Sequence, residues 1–165
     1  MHIEPQTKPE LSHICGLIES ISVAMLTTFD NQGALVSQPM VPLEIDAHGA
    51  LWFFTDLRSE KMHHLQVVNL SFIDSERSTY VSISGHGEIH DEREEKERLW
   101  TPMARPWFPE GVESVHLGLL KIVPREAEYW DAPHSRMVRM VAMVASAVVG
   151  RPVGLGTHET LTDLS

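Results

Sequence analysis

Apolar and polar residues alternate along much of the chain, and a period of two is the pattern of β-strands with one buried face. Turn-forming residues at 31–33 and 46–49 separate the first strands, and connections this short join antiparallel neighbours. The pattern therefore predicts a mainly β chain built from hairpins. The six predicted strands span residues 22–30, 35–45, 50–55, 67–73, 79–90 and 116–130.

Helical spacing of apolar residues is confined to fewer segments. Residues 135–149 favour a helix, although their valine content leaves a strand as the alternative. The remaining predicted helices span residues 9–20, 59–66 (with Ser59 as its N-cap) and 91–100. Together the elements predict a single domain over residues 1–165, a small β-barrel with peripheral helices. Its core is expected at about residues 10–150, followed by a Gly-rich C-terminal tail over 151–165.

Prolines and glycines inside the predicted strands indicate where the sheet bends. Pro39 and Pro42 cannot donate to a strand ladder, so the second strand should lie at an edge or contain a bulge. Gly85 and Gly87 lie near the middle of the fifth strand and predict a bend that curls the sheet. Pro124 marks a bulge or corner in the sixth strand.

Composition excludes several function classes. The net charge of −10 repels phosphate backbones, and since no Lys/Arg run offsets it, we expect no nucleic-acid partner. The longest apolar stretch, 137–149, contains Arg139 and is too short to span a bilayer, so no membrane association is expected. A single cysteine, Cys15, and the absence of an apolar signal segment in the first residues favour the cytoplasm.

Motifs for metal binding and for nucleophilic catalysis are absent. His86 and His90 would share one face of a strand, but they have no visible third ligand, and no HExxH spacing occurs. The chain contains neither a G-x-S-x-G elbow nor a P-loop. We therefore predict no metal site and assign no catalytic residue.

Three segments become informative when taken together with their order and spacing. They are Val-Ser-Gln-Pro-Met at 36–40, Leu-Trp-Phe-Phe-Thr-Asp at 51–56 with Ser-Glu-Lys at 59–61, and Ala-Glu-Tyr-Trp-Asp-Ala-Pro at 127–133. This combination resembles the pyridoxamine 5′-phosphate oxidase-like FMN-binding split barrels, and among these it is most similar to the bacterial general-stress-protein branch. The resemblance covers about residues 10–150.

The resemblance implies a six-stranded antiparallel split barrel that forms a homodimer, with FMN (or FAD) held between the subunits. Ser59 and Lys61 would bind the flavin phosphate, with Arg58 in reach, because a helix N-terminus and a cation favour an anion. Trp130 would approach the flavin from the neighbouring subunit. The remaining cofactor-binding residues implied by the resemblance are Ser37, Gln38, Pro39, Met40, Phe54, Thr55 and Tyr80.

The implied activity is a flavin-dependent oxidoreductase that takes a hydride from a reduced nicotinamide and passes electrons to a small acceptor. True pyridoxamine phosphate oxidase activity is not expected, because residues 134–139 lack the family's C-terminal Arg/His pattern. Two departures bear on affinity: many relatives of this branch carry Arg where this chain has Gln38, and Glu60 precedes Lys61. The alternatives are a non-catalytic flavin-binding stress or sensor protein, a member that binds no flavin, and a deazaflavin-dependent reductase.

Overall fold

A computed structural model describes residues 1–59, 63–131, 157–162 and 164. Its two α-helices are α1 (Pro9–Ile18) and α2 (Arg93–Leu99), and Pro102–Ala104 and Gly111–Glu113 form single 3-10 turns. The strands are β1 (His2–Ile3), β2 (Ala24–Phe29), β3 (Leu35–Met40), β4 (Pro42–Ile45), β5 (Leu51–Asp56), β6 (Val68–Asp74), β7 (Thr79–His90), β8 (Leu117–Asp131) and β9 (Thr157–Thr162).

The strands form one curled sheet in the order β1-β4-β5-β8-β7-β6-β2-β3, and β9 pairs with the second half of β8. All neighbours are antiparallel except β1 and β4, which run parallel. β3 is the strand at one edge of the sheet. At the opposite edge, β4 is the last strand but one and pairs with the two-residue strand β1. Only Val41 separates β3 from β4 in sequence, so the sheet must curve until its two sides meet.

Pro39 and Pro42 flank this crossing, as the sequence predicted. Pro39 lies in the edge strand β3, and the register of β4 against β5 shifts between Pro42 and Glu44. A proline at each position removes a donor where the chain leaves one strand ladder and joins another. The single predicted strand over 35–45 is therefore two strands with different neighbours.

A bulge between β7 and β8 provides the second bend. Ser84 pairs with Glu126 and Gly85 pairs with Pro124, so Arg125 has no partner across the ladder. A Cβ built on Gly85 would lie 2.1 Å from the carbonyl oxygen of Val123, so no larger residue fits without a shift of backbone. The predicted bend at this glycine and the predicted irregularity at Pro124 are the same feature.

The core lies on the concave face of the sheet and is closed by α1. Leu11, Ile14, Cys15 and Ile18 form the buried side of α1, at the helical spacing that the sequence predicted. They pack in the same cluster as sheet residues such as Phe53. Burial raises the pKa of the Cys15 thiol to about 11, as expected for an inert core cysteine.

The mainly β, split-barrel class is confirmed, but the predicted strands need two corrections besides the division of the strand over 35–45. β1 was not predicted, because a strand of two residues shows no periodicity. β9 lies within the predicted tail over 151–165, and six-residue pairing with β8 makes part of that segment a strand. The predicted helix over 135–149 lies outside the described residues, as do residues 60–62 of the one over 59–66. Residues 64–66 are not helical, so the last part of that predicted helix is wrong. Among the described helices, neither is long and apolar enough to cross a bilayer.

Candidate functional site

A groove of about 280 Å³ opens beside the hairpin of β2 and β3, where the turn after β5 meets it. Its polar lining includes three residues that the sequence assigned to a cofactor: Ser37, Gln38 and Ser59. The other lining residues are Thr28, Phe29, Asp30 and Val36. The groove therefore joins two segments that are about twenty residues apart in sequence.

The edge position of β3 makes its side chains available to this groove. Gln38 lies opposite Leu26 of β2 and is half-buried on the core-facing side. Ser37 points to the other side, where its hydroxyl is 2.7 Å from the hydroxyl of Thr27. Because β3 has no strand on its outer side among the described residues, its outer backbone groups are also open to a ligand.

Asp56 organises the turn that brings Ser59 to the groove. Its Oδ1 accepts hydrogen bonds from the backbone N–H and the Nε–H of Arg58, at 2.9 and 3.0 Å. Its backbone carbonyl accepts the N–H of Ser59 at 2.9 Å. The Arg58 hydrogen bonds lower the pKa of the Asp56 carboxyl to about 2, so Asp56 is ionised at neutral pH.

The described chain returns to the same hairpin just beyond this turn. A ring nitrogen of His64 lies 2.8 Å from the side-chain oxygen of Asn31, in the β2–β3 connection. Ser59 and His64 thus both lie at this hairpin. Lys61, the predicted phosphate ligand, lies outside the described residues.

Six described residues of the predicted cofactor set do not line the groove: Pro39, Met40, Phe54, Thr55, Tyr80 and Trp130. Met40 is 8 % exposed and packs in the main core, and Thr55 is 3 % exposed. Phe54 faces the other side of β5, with ring centroids 5.6 Å from Trp100 and 6.5 Å from Phe108. Alternation along a strand explains the separation of Phe54 from Thr55, since neighbouring side chains point to opposite faces. Their roles toward a flavin stay predictions.

Tyr80 and Trp130 form a second location, on the convex face of the sheet. They are directly paired across β7 and β8, and they are 42 % and 41 % exposed. The indole of Trp130 stacks on His158 of β9, with centroids 4.7 Å apart and ring planes 4° apart. Four strand spacings separate β8 from β3, a path of about 19 Å along the sheet.

Between these two locations the convex face carries a strip of polar side chains. The Asn69 amide donates to the hydroxyls of Ser82 and Ser84, at 2.8 and 3.1 Å, and accepts from Ser71 at 3.0 Å. Exposed apolar side chains surround the strip: Met25, Phe29, Leu35, Pro39, Ile73, Tyr80 and Trp130. An exposed face with this many large apolar groups is typical of an interaction surface.

Sequence reasoning missed part of the groove. Thr28 and Phe29 end the strand β2 and Asp30 follows it, and none of them was assigned to a site. The carboxylate of Asp30 accepts the backbone N–H groups of Gln32 and Ala34, at 2.8 and 2.9 Å, and so shapes the hairpin turn. The sequence predicted the turn at 31–33, but it did not indicate that the turn after β5 would lie beside it.

Comparison with known proteins identifies the family. The family model described as "Pyridoxamine 5'-phosphate oxidase like" matches residues 9–153. The chain belongs to this family. The resemblance drawn from the sequence is thereby confirmed, and the curled sheet described above is the family's split barrel.

Individual members of the pyridoxamine 5′-phosphate oxidase-like family are distant. Protein bli-3 of Neurospora crassa is 22 % identical over 156 residues, which cover 87 % of this chain and 75 % of that protein. A structure from Jannaschia sp. CCS1, assigned as a general stress protein 26, has a TM-score of 0.72 at 23 % identity and covers 94 % of this chain and 99 % of its own. The general stress FMN/FAD binding protein of Xanthomonas citri has a TM-score of 0.65 at 25 % identity, with 78 % and 93 % covered.

Proposed function

We propose that this chain binds FMN in the groove at the β2–β3 hairpin and acts as a flavin-dependent oxidoreductase. The observation that carries the proposal is that Ser37, Gln38 and Ser59 line one groove. These residues come from the two segments in which the family resemblance placed flavin ligands. The Xanthomonas citri relative, which is described as an FMN/FAD binding protein, supports a flavin as the ligand.

The chemistry of the groove suits part of a flavin. Two hydroxyls and a carboxamide supply both donors and acceptors, as the polar edge of an isoalloxazine requires. Ligand pockets commonly measure about 300–1,000 Å³, so a groove of about 280 Å³ is small for the whole cofactor. We therefore propose that a second subunit completes the site.

The position of Trp130 supports a site shared between two chains. The resemblance places this residue against the flavin, yet about 19 Å of sheet lies between β8 and the groove strand β3. One chain therefore does not present Trp130 and Ser37 to one ring. A homodimer that uses the exposed convex face would bring the Trp130 of one subunit to the groove of the other.

Phosphate binding requires a local cation, because the protein carries a net charge of −10. Arg58 lies beside the groove, but its guanidinium is already bonded to Asp56 at 2.6 Å. We assign the phosphate contact to Lys61, which follows Ser59 by two residues. The Ser59 hydroxyl would add a neutral donor to the same phosphate.

A bound flavin would supply the redox chemistry, accepting a hydride and passing electrons to an acceptor. The side chains of this groove would bind and orient it. Of the described lining residues, Asp30 alone carries an acidic or basic side chain, and its carboxylate accepts the backbone N–H groups of the hairpin turn. We therefore assign no acid or base, and propose a small redox acceptor with a reduced nicotinamide as donor.

Titration of the purified protein with FMN, followed by quenching of flavin fluorescence, tests the binding proposal. Lys61→Ala should raise the dissociation constant about tenfold or more, because a charge-assisted contact contributes about 1.5 kcal/mol or above. Lys8→Ala removes the same charge at the start of α1 and should leave the constant unchanged. A wild-type chain that retains no flavin after gel filtration would overturn the proposal.

A second measurement separates turnover from binding. NADH or NADPH added to the FMN complex under anaerobic conditions should bleach the flavin absorbance at about 450 nm, as expected for a reduced flavin. Readmission of an acceptor should restore it. A flavin that binds tightly but is not reduced by either nicotinamide would instead favour the non-catalytic flavin-binding protein.

A further inference from the structure

A second cluster of polar groups lies where β1 pairs with β4, in a part of the barrel that the flavin proposal does not use. His2, Glu4 and Glu44 each offer one metal-ligating atom, and these three atoms lie within 4.8 Å of one another. Register explains the grouping: His2 is the direct partner of Glu44, and Glu4 continues the pairing through its N–H bond to Ile45 at 3.0 Å. Residues two apart in an extended segment share a face.

Glu44 is an unusual member of this cluster because it is 4 % exposed. Its Oε2 accepts from Nη1 of Arg98 at 2.8 Å. Its Oε1 is buried and has no hydrogen-bond partner among the described residues. A buried acceptor without a partner costs about 1–3 kcal/mol, and more when the group is charged. The unpaired oxygen is thus an independent sign that a ligand is missing.

The charges around the cluster favour a cation. Glu4 and Glu44 bring two carboxylates, and the neighbouring cation, Arg98, is shared with Glu95 at 2.9 Å. Glu4 is held in place because its Oε2 accepts the backbone N–H of Ala47 at 2.8 Å. The Arg98 bond likewise fixes the orientation of Glu44, as outer-shell partners do for metal ligands.

We propose that His2, Glu4 and Glu44 form a zinc site that fastens the N-terminal strand to the barrel. Imidazole nitrogen and carboxylate oxygen are both ligands of Zn²⁺, and three protein ligands leave the fourth position to water. Ligands at about 2.0–2.1 Å from the metal lie about 3.4 Å from each other, so ligand atoms that are 4.8 Å apart must close by about 1.4 Å. His2 is exposed, so its side chain can rotate toward Glu4 and Glu44, which are held by hydrogen bonds to Ala47 and Arg98.

Calorimetric titration of the full, untagged, chelator-treated protein with zinc chloride tests the site. One Zn²⁺ should bind per chain, and His2→Ala and Glu4→Gln should each weaken binding at least tenfold. His48→Ala removes an exposed imidazole from the turn between β4 and β5, and it should bind zinc like the wild type. Equal zinc binding by His2→Ala and wild type would overturn the proposal, because another histidine would then be the ligand.

Thermal unfolding provides a second readout of the same site. Excess Zn²⁺ should raise the Tm of the wild type and of His48→Ala, because a ligand that binds only the folded state stabilises it. The Tm of His2→Ala should not respond. No heat of binding and no zinc-dependent Tm in the wild type would also rule the site out, whatever the outcome of the flavin titration.

Discussion

Arg58 donates from Nη2 to Oδ2 of Asp56 at 2.6 Å, so the described cation beside the candidate groove is already paired. The pair lies at the surface, where its energy is small and solvent competes for both charges. A phosphate at the groove would have to compete with Asp56 for Arg58. Asp56 therefore limits the positive charge that this part of the chain offers to an anion.

Asp56→Asn should tighten FMN binding by about two- to fivefold, since an exposed ion pair is worth up to about 1 kcal/mol. The asparagine Oδ1 can still accept the backbone N–H of Arg58, so the turn is preserved while the guanidinium is released. Flavin fluorescence titration measures the change. Glu19→Gln removes one negative charge beyond the end of α1 and should have no effect.

The same effect should be independent of pH across the neutral range. The Arg58 hydrogen bonds lower the pKa of Asp56 to about 2, below its value in an unfolded chain. The carboxylate thus loses its charge only as the pH falls toward that value, and the pair persists from about pH 7 to about pH 8, where the second ionisation of a phosphate monoester, with a pKa of about 6, is largely complete. A wild-type to variant affinity ratio that changes across this range would contradict the assignment.

Gln38→Arg should strengthen FMN binding about tenfold, because it adds a cation to the lining of the groove. Gln38 is half-buried but lies at the edge strand, so a longer side chain can extend into the groove. Ser12→Arg places the same charge on the exposed side of α1 and serves as the control. Weaker binding by Gln38→Arg would mean that the site does not accept a cation there.

Mixing two defective variants tests whether the site is shared between subunits. Lys61→Ala and Trp130→Ala should each bind FMN poorly as homodimers. In a random mixture of exchanged subunits about one quarter of the sites should regain wild-type affinity, because half of the dimers are mixed and each mixed dimer has one intact site. If the mixture shows no recovery after subunit exchange, either Lys61 and Trp130 of the same chain contribute to the same site, or Trp130 contributes to no flavin site.

Gly85→Ala should destabilise the fold by about 1–3 kcal/mol, which is the usual cost of forcing an atom into a packed region. The new Cβ would lie 2.1 Å from the Val123 carbonyl oxygen, so the bulge between β7 and β8 must shift. Gly16→Ala is the matched control: it lies in α1 with no atom within 4 Å of its added Cβ. That variant should stabilise by about 0.5–1 kcal/mol in urea unfolding, since alanine favours a helix.

Local patterns in the sequence were sufficient for most of the fold. Alternation located the strands from β2 to β8, although it joined β3 and β4 into one, and prolines at 39 and 42 located the edge and the register shift. The glycine at 85 located the bulge. Each of these features depends on a residue's own backbone preference or on its immediate neighbours, so the sequence contains the information directly.

The candidate site was predicted only in part. Ser37, Gln38 and Ser59 meet in one groove, whereas Met40 and Phe54 are packed among apolar residues elsewhere. Alternation indicates that Met40 and Gln38 share a face of β3, but it does not indicate where along that face the core ends. How deeply each side chain is buried depends on the curl of the sheet and on the elements that cover that side chain.

By itself, therefore, the sequence determined the strands, their bends, the buried face of α1 and the family. The tertiary structure alone decided which distant residues became neighbours. His2 lies beside Glu44 because the two-residue strand β1 pairs with β4. Ser37 lies near Ser59 because the curled sheet brings the edge strand β3 back to the turn that follows β5. Both pairings depend on how the sheet closes, and closure is a property of all its strands together rather than of any one segment.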